Sequence, residues 1–151
     1  MMTHLYGKFN ADGIGIYNKE GVEYLVCIER FTEPTGIALV GGKREFKRNP
    51  AAGEEDFESS TECILREFTE ESGLTFVIER LLGRYDKPGR DPRGERISDV
   101  FVGRATGTPR NEPGKTRVLL IDPQKIHEYQ HDFVFDHYKI LCDWEQTRKR
   151  F

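Results

Sequence analysis

Cysteine is scarce in this chain of 151 residues: there are three, Cys27, Cys63 and Cys142, far apart and without C-x-x-C spacing. An odd number of scattered thiols argues against a disulfide framework or a zinc site. It fits a reducing compartment in which the thiols are buried packing residues. Long apolar runs are missing too. No segment approaches the ~20 apolar residues that cross a bilayer, and the opening MMTHLYGKFN lacks the apolar stretch of a secretion signal. The expectation is a cytoplasmic protein with no membrane partner. Nor does one sign of charge dominate. The chain has 23 Lys and Arg against 26 Asp and Glu, a net charge of −3, and its one basic run is Arg148-Lys149-Arg150. Nucleic acid held by a basic field is therefore not expected, and the terminal run reads as a solvated helix end where cations suit the dipole. Repeats, linkers and low-complexity segments are absent. What is present is an ordinary globular composition, 36% hydrophobic and 32% charged, in a length that suits one domain over residues 1–151.

Hydrophobic patterning divides the chain into short elements. Ala11 to Tyr17 and Val22 to Arg30 flank Asn18-Lys19-Glu20-Gly21 and read as a β-hairpin. Ile37 to Val40 reads as a short buried strand ending at Gly41-Gly42, and the polar stretch Lys43 to Asp56 as a loop. Strands are expected at Leu74 to Tyr85, Arg96 to Ala105 and Thr116 to Ile121, separated by loops at Asp86–Glu95 and Gly107–Gly114. Asp122-Pro123 opens a short helix, and Asp136 is a candidate N-cap for a last helix from His137 to about Lys149. Strands on both sides of a central helix, with a helix at the end, give an α/β (α+β) fold.

The most informative stretch is Glu58 to Leu74, ESSTECILREFTEESGL. Ser59 with Glu62 three residues on forms a capping box that starts a helix at Ser60, and Gly73 supplies the residue that tolerates a left-handed cap. Phe57, Thr61, Ile64, Leu65 and Phe68 fall on one stripe expected to face a core. Glu67 and Glu71 lie one turn apart, with Glu70 three residues from Glu67, so three acids share neighbouring positions near the helix C-terminus. Like charges at that spacing destabilise a helix by a few tenths of a kcal/mol each and oppose the macrodipole. A divalent cation would neutralise them. Mg²⁺ takes carboxylate oxygens and bridges to substrate phosphates, whereas three acids alone would read as a solvated helix face.

The register of Glu58, Arg66, Glu67, Phe68, Glu70, Glu71, Gly73 and Leu74 resembles the second half of the Nudix box, G-x5-E-x7-R-E-U-x-E-E-x-G-U, where U is bulky and apolar. A chance match to its six single-residue demands comes to roughly one in 10⁷ per window. The resemblance spans nearly the whole chain and implies a Nudix-type α/β/α sandwich with a central mixed sheet. It also implies hydrolysis of a nucleoside diphosphate linked to another moiety, with Mg²⁺ or Mn²⁺. It places metal ligands at Glu67, Glu70 and Glu71, gives Arg66 the role of orienting these acids, and adds the carbonyl of the first box glycine. Counting back from Glu58 reaches Ala52 instead of glycine, and Gly42 in Gly41-Gly42-Lys43 is the favoured counterpart. Fifteen residues (43–57) then stand where the family has five, so ten are inserted, a length that loop-closure entropy tolerates. Val40 stands where many members carry proline.

Substrate and base candidates lie outside the box. Arg90-Asp91-Pro92-Arg93-Gly94 and Phe135-Asp136-His137 resemble the RDPRG and FDH segments of bacterial and archaeal ADP-ribose pyrophosphatases. Arg93 could fork onto a phosphate, and Arg90 could support the loop or reach a second phosphate; alternatively the charges of this turn pair with each other. The inserted loop could bring Arg44, Lys47 and Arg48 over the phosphates as a mobile lid. Glu112 is the candidate base, with Glu70, Asp99 and Glu95 as others, while His4, His127 and His131 read as surface residues and His137 as a packing or capping one. The implied reaction is cleavage of a small-molecule nucleotide, ADP-ribose, to AMP and ribose 5-phosphate. Noncanonical nucleoside triphosphates, dinucleoside polyphosphates or nucleotide sugars are the alternatives, and a catalytically silent ADP-ribose sensor is a third. Whether the chain acts alone or as a homodimer is open from sequence.

Overall fold

Two apolar-rich runs build a long hairpin, β1 (Phe9–Lys19) and β2 (Val22–Arg30), turning at Glu20-Gly21, where both residues take positive φ. The computed structural model describes residues 7–148, so the expectations for His4 and Lys149-Arg150 concern residues outside that range. β3 (Gly36–Lys43), β4 (Thr75–Tyr85), β5 (Ile97–Thr106) and β6 (Thr116–Ile121) complete a sheet of order β4-β5-β1-β3-β2-β6. β1 runs parallel to β5 and every other pairing is antiparallel, which makes the sheet mixed. β1 is longer than expected at both ends, beginning at Phe9 and ending at Lys19, and β3 differs in a way that matters for the site. β3 does not stop before Gly41-Gly42, because both glycines pair with Asp12 and Ala11 of β1 and extend the ladder to Lys43.

Two helices cover the two faces. α1 (Ser60–Ser72) packs Cys63, Ile64 and Phe68 on a face made by Ala11, Val26, Ile28, Ala38 and Val40. The other face carries Leu25, Cys27, Leu39 and Val102, and is closed by a 3₁₀ helix (Pro123–Tyr129) and α2 (His137–Arg148) through Ile126, Ile140, Leu141 and Trp144. Adjacent residues of β2 therefore serve opposite cores, as strand alternation requires. All three cysteines are free; Cys27 and Cys63 are buried and Cys142 is half-buried. Among the described residues no helix is long and apolar enough to cross a membrane.

What brings α1 close to the sheet is the absence of side chains on β1. The Phe68 ring stacks on Phe76 with centroids 4.2 Å apart and planes at 6°. Its edge reaches over Gly13 and Gly15, where an added Cβ would stand 2.6 Å and 2.8 Å from ring carbons. Even one methyl there overpacks the layer. Gly13→Ala is expected to cost about 1–3 kcal/mol, a fall of roughly 3–10 °C in Tm in a thermal melt. An unchanged melting temperature would contradict this account of helix placement.

Candidate active site

α1 owes its position in sequence to its caps. Ser59 Oγ accepts from Glu62 N at 3.1 Å and Glu62 returns the bond to Ser59 N at 3.0 Å. Gly73 ends the helix at φ 72°, donating its N–H to Thr69 O. The last turn contains no basic residue, so no cation there offsets the helix dipole at this end. The expected apolar stripe is rotated. Ile64 and Phe68 face the core, but Thr61 and Leu65 are exposed and Phe57 is half-buried, while Cys63, Glu71 and Ser72 go inside. The rotation has a cause: it turns Glu67 and Glu71 towards Gly41-Gly42 at the sheet end, and the opposite flank must then face solvent.

The three acids consequently differ. Glu67 and Glu71 are buried or nearly so, whereas the Glu70 side chain is 47% exposed. Glu71 Oε1 accepts Gly41 N–H at 2.8 Å. The Glu67 carboxylate lies directly over Gly42, so that any Cβ at that position would collide with it. Gly42 O itself accepts from Cys63 Sγ at 3.5 Å. Burial pushes Glu67 up to about 7, with Arg66 opposing and Glu70 adding to the shift. Burial, reinforced by the neighbouring Glu67 charge, drives Glu71 well above the usual carboxylate range. Of the two, Glu67 has Arg66 as its cationic partner, while Glu71 has, among the described residues, only a backbone N–H.

Arg66 is the hub. It forks onto Glu58 at 2.7 Å and 2.9 Å, reaches Glu67 at 3.0 Å and Glu70 at 2.9 Å, and donates to Lys43 O at 3.0 Å. Burial raises Glu58, but Arg66 and the Glu45 N–H outweigh it and hold that carboxyl below its ordinary value. Of the base candidates, Glu112 is half-buried and its charge reaches Glu71. Asp99 is forked by Arg84 at 2.8 Å and 3.2 Å, and Glu95 pairs with Lys8 at 3.0 Å.

Beside the glycine pair opens a cavity of about 80 Å³, lined among others by Arg30, Gly41, Gly42, Arg90, Arg93 and Phe135. Arg90 is buried and forks onto Asp136 at 2.9 Å and 2.8 Å. Asp136 was expected to cap α2 with its side chain; its carboxylate goes to Arg90, and only its carbonyl enters the helix, accepting from Ile140 N. Arg93 forks onto Asp91 at 3.1 Å and 2.8 Å and stands 4.7 Å over the Phe135 ring. The two arginines thus share the cavity wall, Arg93 pairing with an acid of its own loop and Arg90 with Asp136 at the start of α2. His137 is buried and accepts Leu39 N–H at 2.9 Å, a packing role.

Arg30 is the residue that sequence reasoning missed. It ends β2, donates to Pro34 O at 2.8 Å, and lies 5.3 Å from the Phe135 centroid. Burial and the nearby Arg93 lower its pKa, outweighing the opposing charges of Glu71 and Asp91. Phe135 takes φ 58°, unusual for a bulky residue, and this places its ring within reach of both guanidinium groups. The strand alternation that buries Val26 and Ile28 on the α1 side continues to Arg30 and was the available signal. Arg44 goes elsewhere: it donates to Glu58 O at 2.7 Å and lies 4.5 Å over Phe57, outside the cavity lining. Lys47 is likewise engaged, by Glu62 at 2.8 Å and Glu54 at 3.3 Å.

Residues 8–144 match the NUDIX domain family. The chain belongs to that family. Over 88 residues it is 45% identical to an ADP-ribose pyrophosphatase of Methanocaldococcus jannaschii, a stretch that is 58% of this chain and half the length of that relative. The fold is similar to the NUDIX domain of Shewanella oneidensis NrtR complexed with ADP ribose, at TM-score 0.72 and 16% identity, covering 94% of this chain and 86% of that one. A bifunctional NMN adenylyltransferase/ADP ribose pyrophosphatase from Francisella tularensis, complexed with AMP and a Mn ion, gives TM-score 0.66 at 18% identity, covering 93% and 42%. The box-like residues of this chain lie on α1, beside the glycine-bearing end of β3.

Proposed function

We propose that this Nudix protein hydrolyses the pyrophosphate bond of ADP-ribose, giving AMP and ribose 5-phosphate, with Mg²⁺ or Mn²⁺ held by Glu67, Glu70, Glu71 and the Gly42 carbonyl. The observation that carries the reading is the juxtaposition of two buried, proton-retaining carboxylates with a cavity walled by three guanidinium groups. The donor set fits a hard divalent ion, being all oxygen and in excess of negative charge. Bound there, such an ion would neutralise the bridging phosphates and raise the acidity of the attacking water.

The protein's own groups divide the remaining work. Arg66 holds Glu67 and Glu70 in one orientation by donating to both from one nitrogen. The Gly41 N–H fixes Glu71. Glu112, whose charge reaches Glu71, would take the proton of the attacking water. Arg93 exchanges Asp91 for a phosphate oxygen, Arg30 accompanies it across Phe135, and Arg90, tied to Asp136, holds the loop that presents Arg93. Arg44, from its position on Glu58 O, supports the entry to the box and does not reach this cavity.

Arg93→Ala and Arg30→Ala are expected to raise KM for ADP-ribose by about 10–100-fold, since a charge-assisted contact contributes about 1.5–3 kcal/mol. Arg110, exposed beside the C-terminal end of α1, serves as the comparison. Arg110→Ala should change KM less than about fivefold, as exposed charges contribute about 1 kcal/mol or less. Product release over a panel of nucleoside diphosphate derivatives, dinucleoside polyphosphates and nucleoside triphosphates tests the substrate. Cleavage of triphosphates to monophosphates with ADP-ribose untouched would overturn the assignment to ADP-ribose. Binding of ADP-ribose with no turnover in either metal would point to a sensor.

A further inference from the structure

On the face of the sheet away from the box helix, three side chains of different chemistry meet. His127 comes from the 3₁₀ helix, while Cys142 and Glu145 stand three residues apart on α2. Their ligand atoms all lie within 4.8 Å of one another. His127 Nε2 is 3.4 Å from Glu145 Oε1, and that oxygen is buried with no hydrogen-bond partner. The other ring nitrogen is already committed: Nδ1 is 2.5 Å from the Tyr138 hydroxyl, and Cys142 lies near the same hydroxyl. In the tautomer that donates Nδ1–H to Tyr138, Nε2 and the carboxylate oxygen face each other as two acceptors across 3.4 Å, an arrangement that a cation between them would stabilise.

We propose that His127 Nε2, Cys142 Sγ and Glu145 form a site for a borderline-soft divalent cation of the Zn²⁺ or Co²⁺ type. Tetrahedral zinc with bonds of about 2.0–2.3 Å sets its donor atoms about 3.3–3.7 Å apart; the nitrogen and oxygen already stand at 3.4 Å, and the sulfur lies within 4.8 Å of both. A nitrogen, a thiolate and a carboxylate from the protein leave one position for water. Tyr138 is the outer partner such sites use, bonded to the second ring nitrogen of His127 with Cys142 close by. The His127 side chain is 60% exposed, so an ion can enter from solvent. The ion would fasten the 3₁₀ helix to α2. Cysteine spacing gave no hint of zinc because the ligands come from two elements. The hard Mg²⁺ proposed for the glutamates would leave a thiol-bearing site alone.

The test uses the full chain, stripped by chelator and saturated with Mg²⁺, then titrated with Co²⁺. One equivalent is expected to produce a thiolate-to-metal charge-transfer band with tetrahedral visible bands, features that oxygen-only ligands do not give. Cys142→Ser should abolish the charge-transfer band, and His127→Gln should weaken Zn²⁺ binding at least about tenfold, with circular dichroism reporting that each variant is folded. A measurement without mutation stands beside these. Cys27 and Cys63 are fully buried, so alkylation of the native protein reads Cys142, and Zn²⁺ should protect it. Absence of the band in the wild type, its persistence in Cys142→Ser, or an alkylation rate indifferent to Zn²⁺ would each overturn the site and leave a plain His127–Glu145 ion pair.

Discussion

Glu71→Gln and Glu67→Gln are each expected to lower kcat at least about a thousandfold, roughly 4 kcal/mol of lost transition-state stabilisation, while leaving the protein folded. Each removes a negative oxygen from a buried pair that only a cation completes. Stability should move the other way, and its pH dependence carries a sign. Glu67 keeps its proton up to about pH 7 in the folded protein, above the value of about 4.3 for a free glutamate. The folded state therefore binds that proton more tightly, and the stability it contributes is lost as pH rises from about 4.5 through 7. Asp12, raised to about 6 chiefly by burial, adds to the same trend. His137, which burial holds neutral down to about 3, opposes it, losing stability as pH falls below about 6.5. The difference between wild type and variant isolates the glutamate. Without metal, Glu67→Gln and wild type should match near pH 5, and the variant should be more stable by roughly 1–3 kcal/mol at pH 8. Adding Mg²⁺ at pH 8 should raise the wild-type Tm and leave the variants' unchanged. Turnover within a few-fold of wild type in either variant would remove these residues from the site.

Arg66→Ala should be the most damaging single change to the fold of the site. It deletes the fork onto Glu58, whose side chain is only 9% exposed, together with the bonds to Glu67, Glu70 and Lys43 O. A buried carboxylate stripped of its partner costs about 3–5 kcal/mol, and here the loss adds to repulsion among the remaining acids. Arg66→Lys restores the charge but cannot fork, so it should recover less than half of that stability and little of the activity. Urea unfolding of the three proteins, with turnover measured beside it, checks both statements. An alanine variant within 1 kcal/mol of wild type would show that Glu58 is solvated by other means.

The parts of this site that were legible in the sequence are those fixed by local spacing. Ser59 and Glu62 announce the start of α1, Gly73 its end, and the Glu67-to-Glu71 interval the convergence of acids. What spacing could not convey was the rotation of α1 about its axis. Thr61 and Leu65 look like core residues until one sees that burying Glu67 and Glu71 turns them outward. Arg30 and Phe135 were hidden for a different reason. They are 105 residues apart in sequence (135 − 30) and meet only through the pairing of β2 with β3 and a left-handed backbone at Phe135. The Arg90-Asp91-Pro92-Arg93 motif was visible, but not that Asp136 would hold Arg90 instead of capping α2.

The insertion between β3 and α1 is stitched shut at its base. Glu58 N bonds Glu45 O at 2.9 Å, Lys47 N bonds Asp56 O at 2.7 Å, and Phe46 faces Phe57 with ring centroids 5.1 Å apart. The tension of a longer or shorter tip therefore ends at this clasp and is not passed to Glu58 or to the first turn of the helix. Chain length beyond the clasp becomes a free parameter, in sequence drift and in protein engineering alike. A fluorophore or an affinity peptide spliced at Ala51-Ala52-Gly53, where Gly53 already turns at φ 81° in open space, would report from beside the box without changing its register.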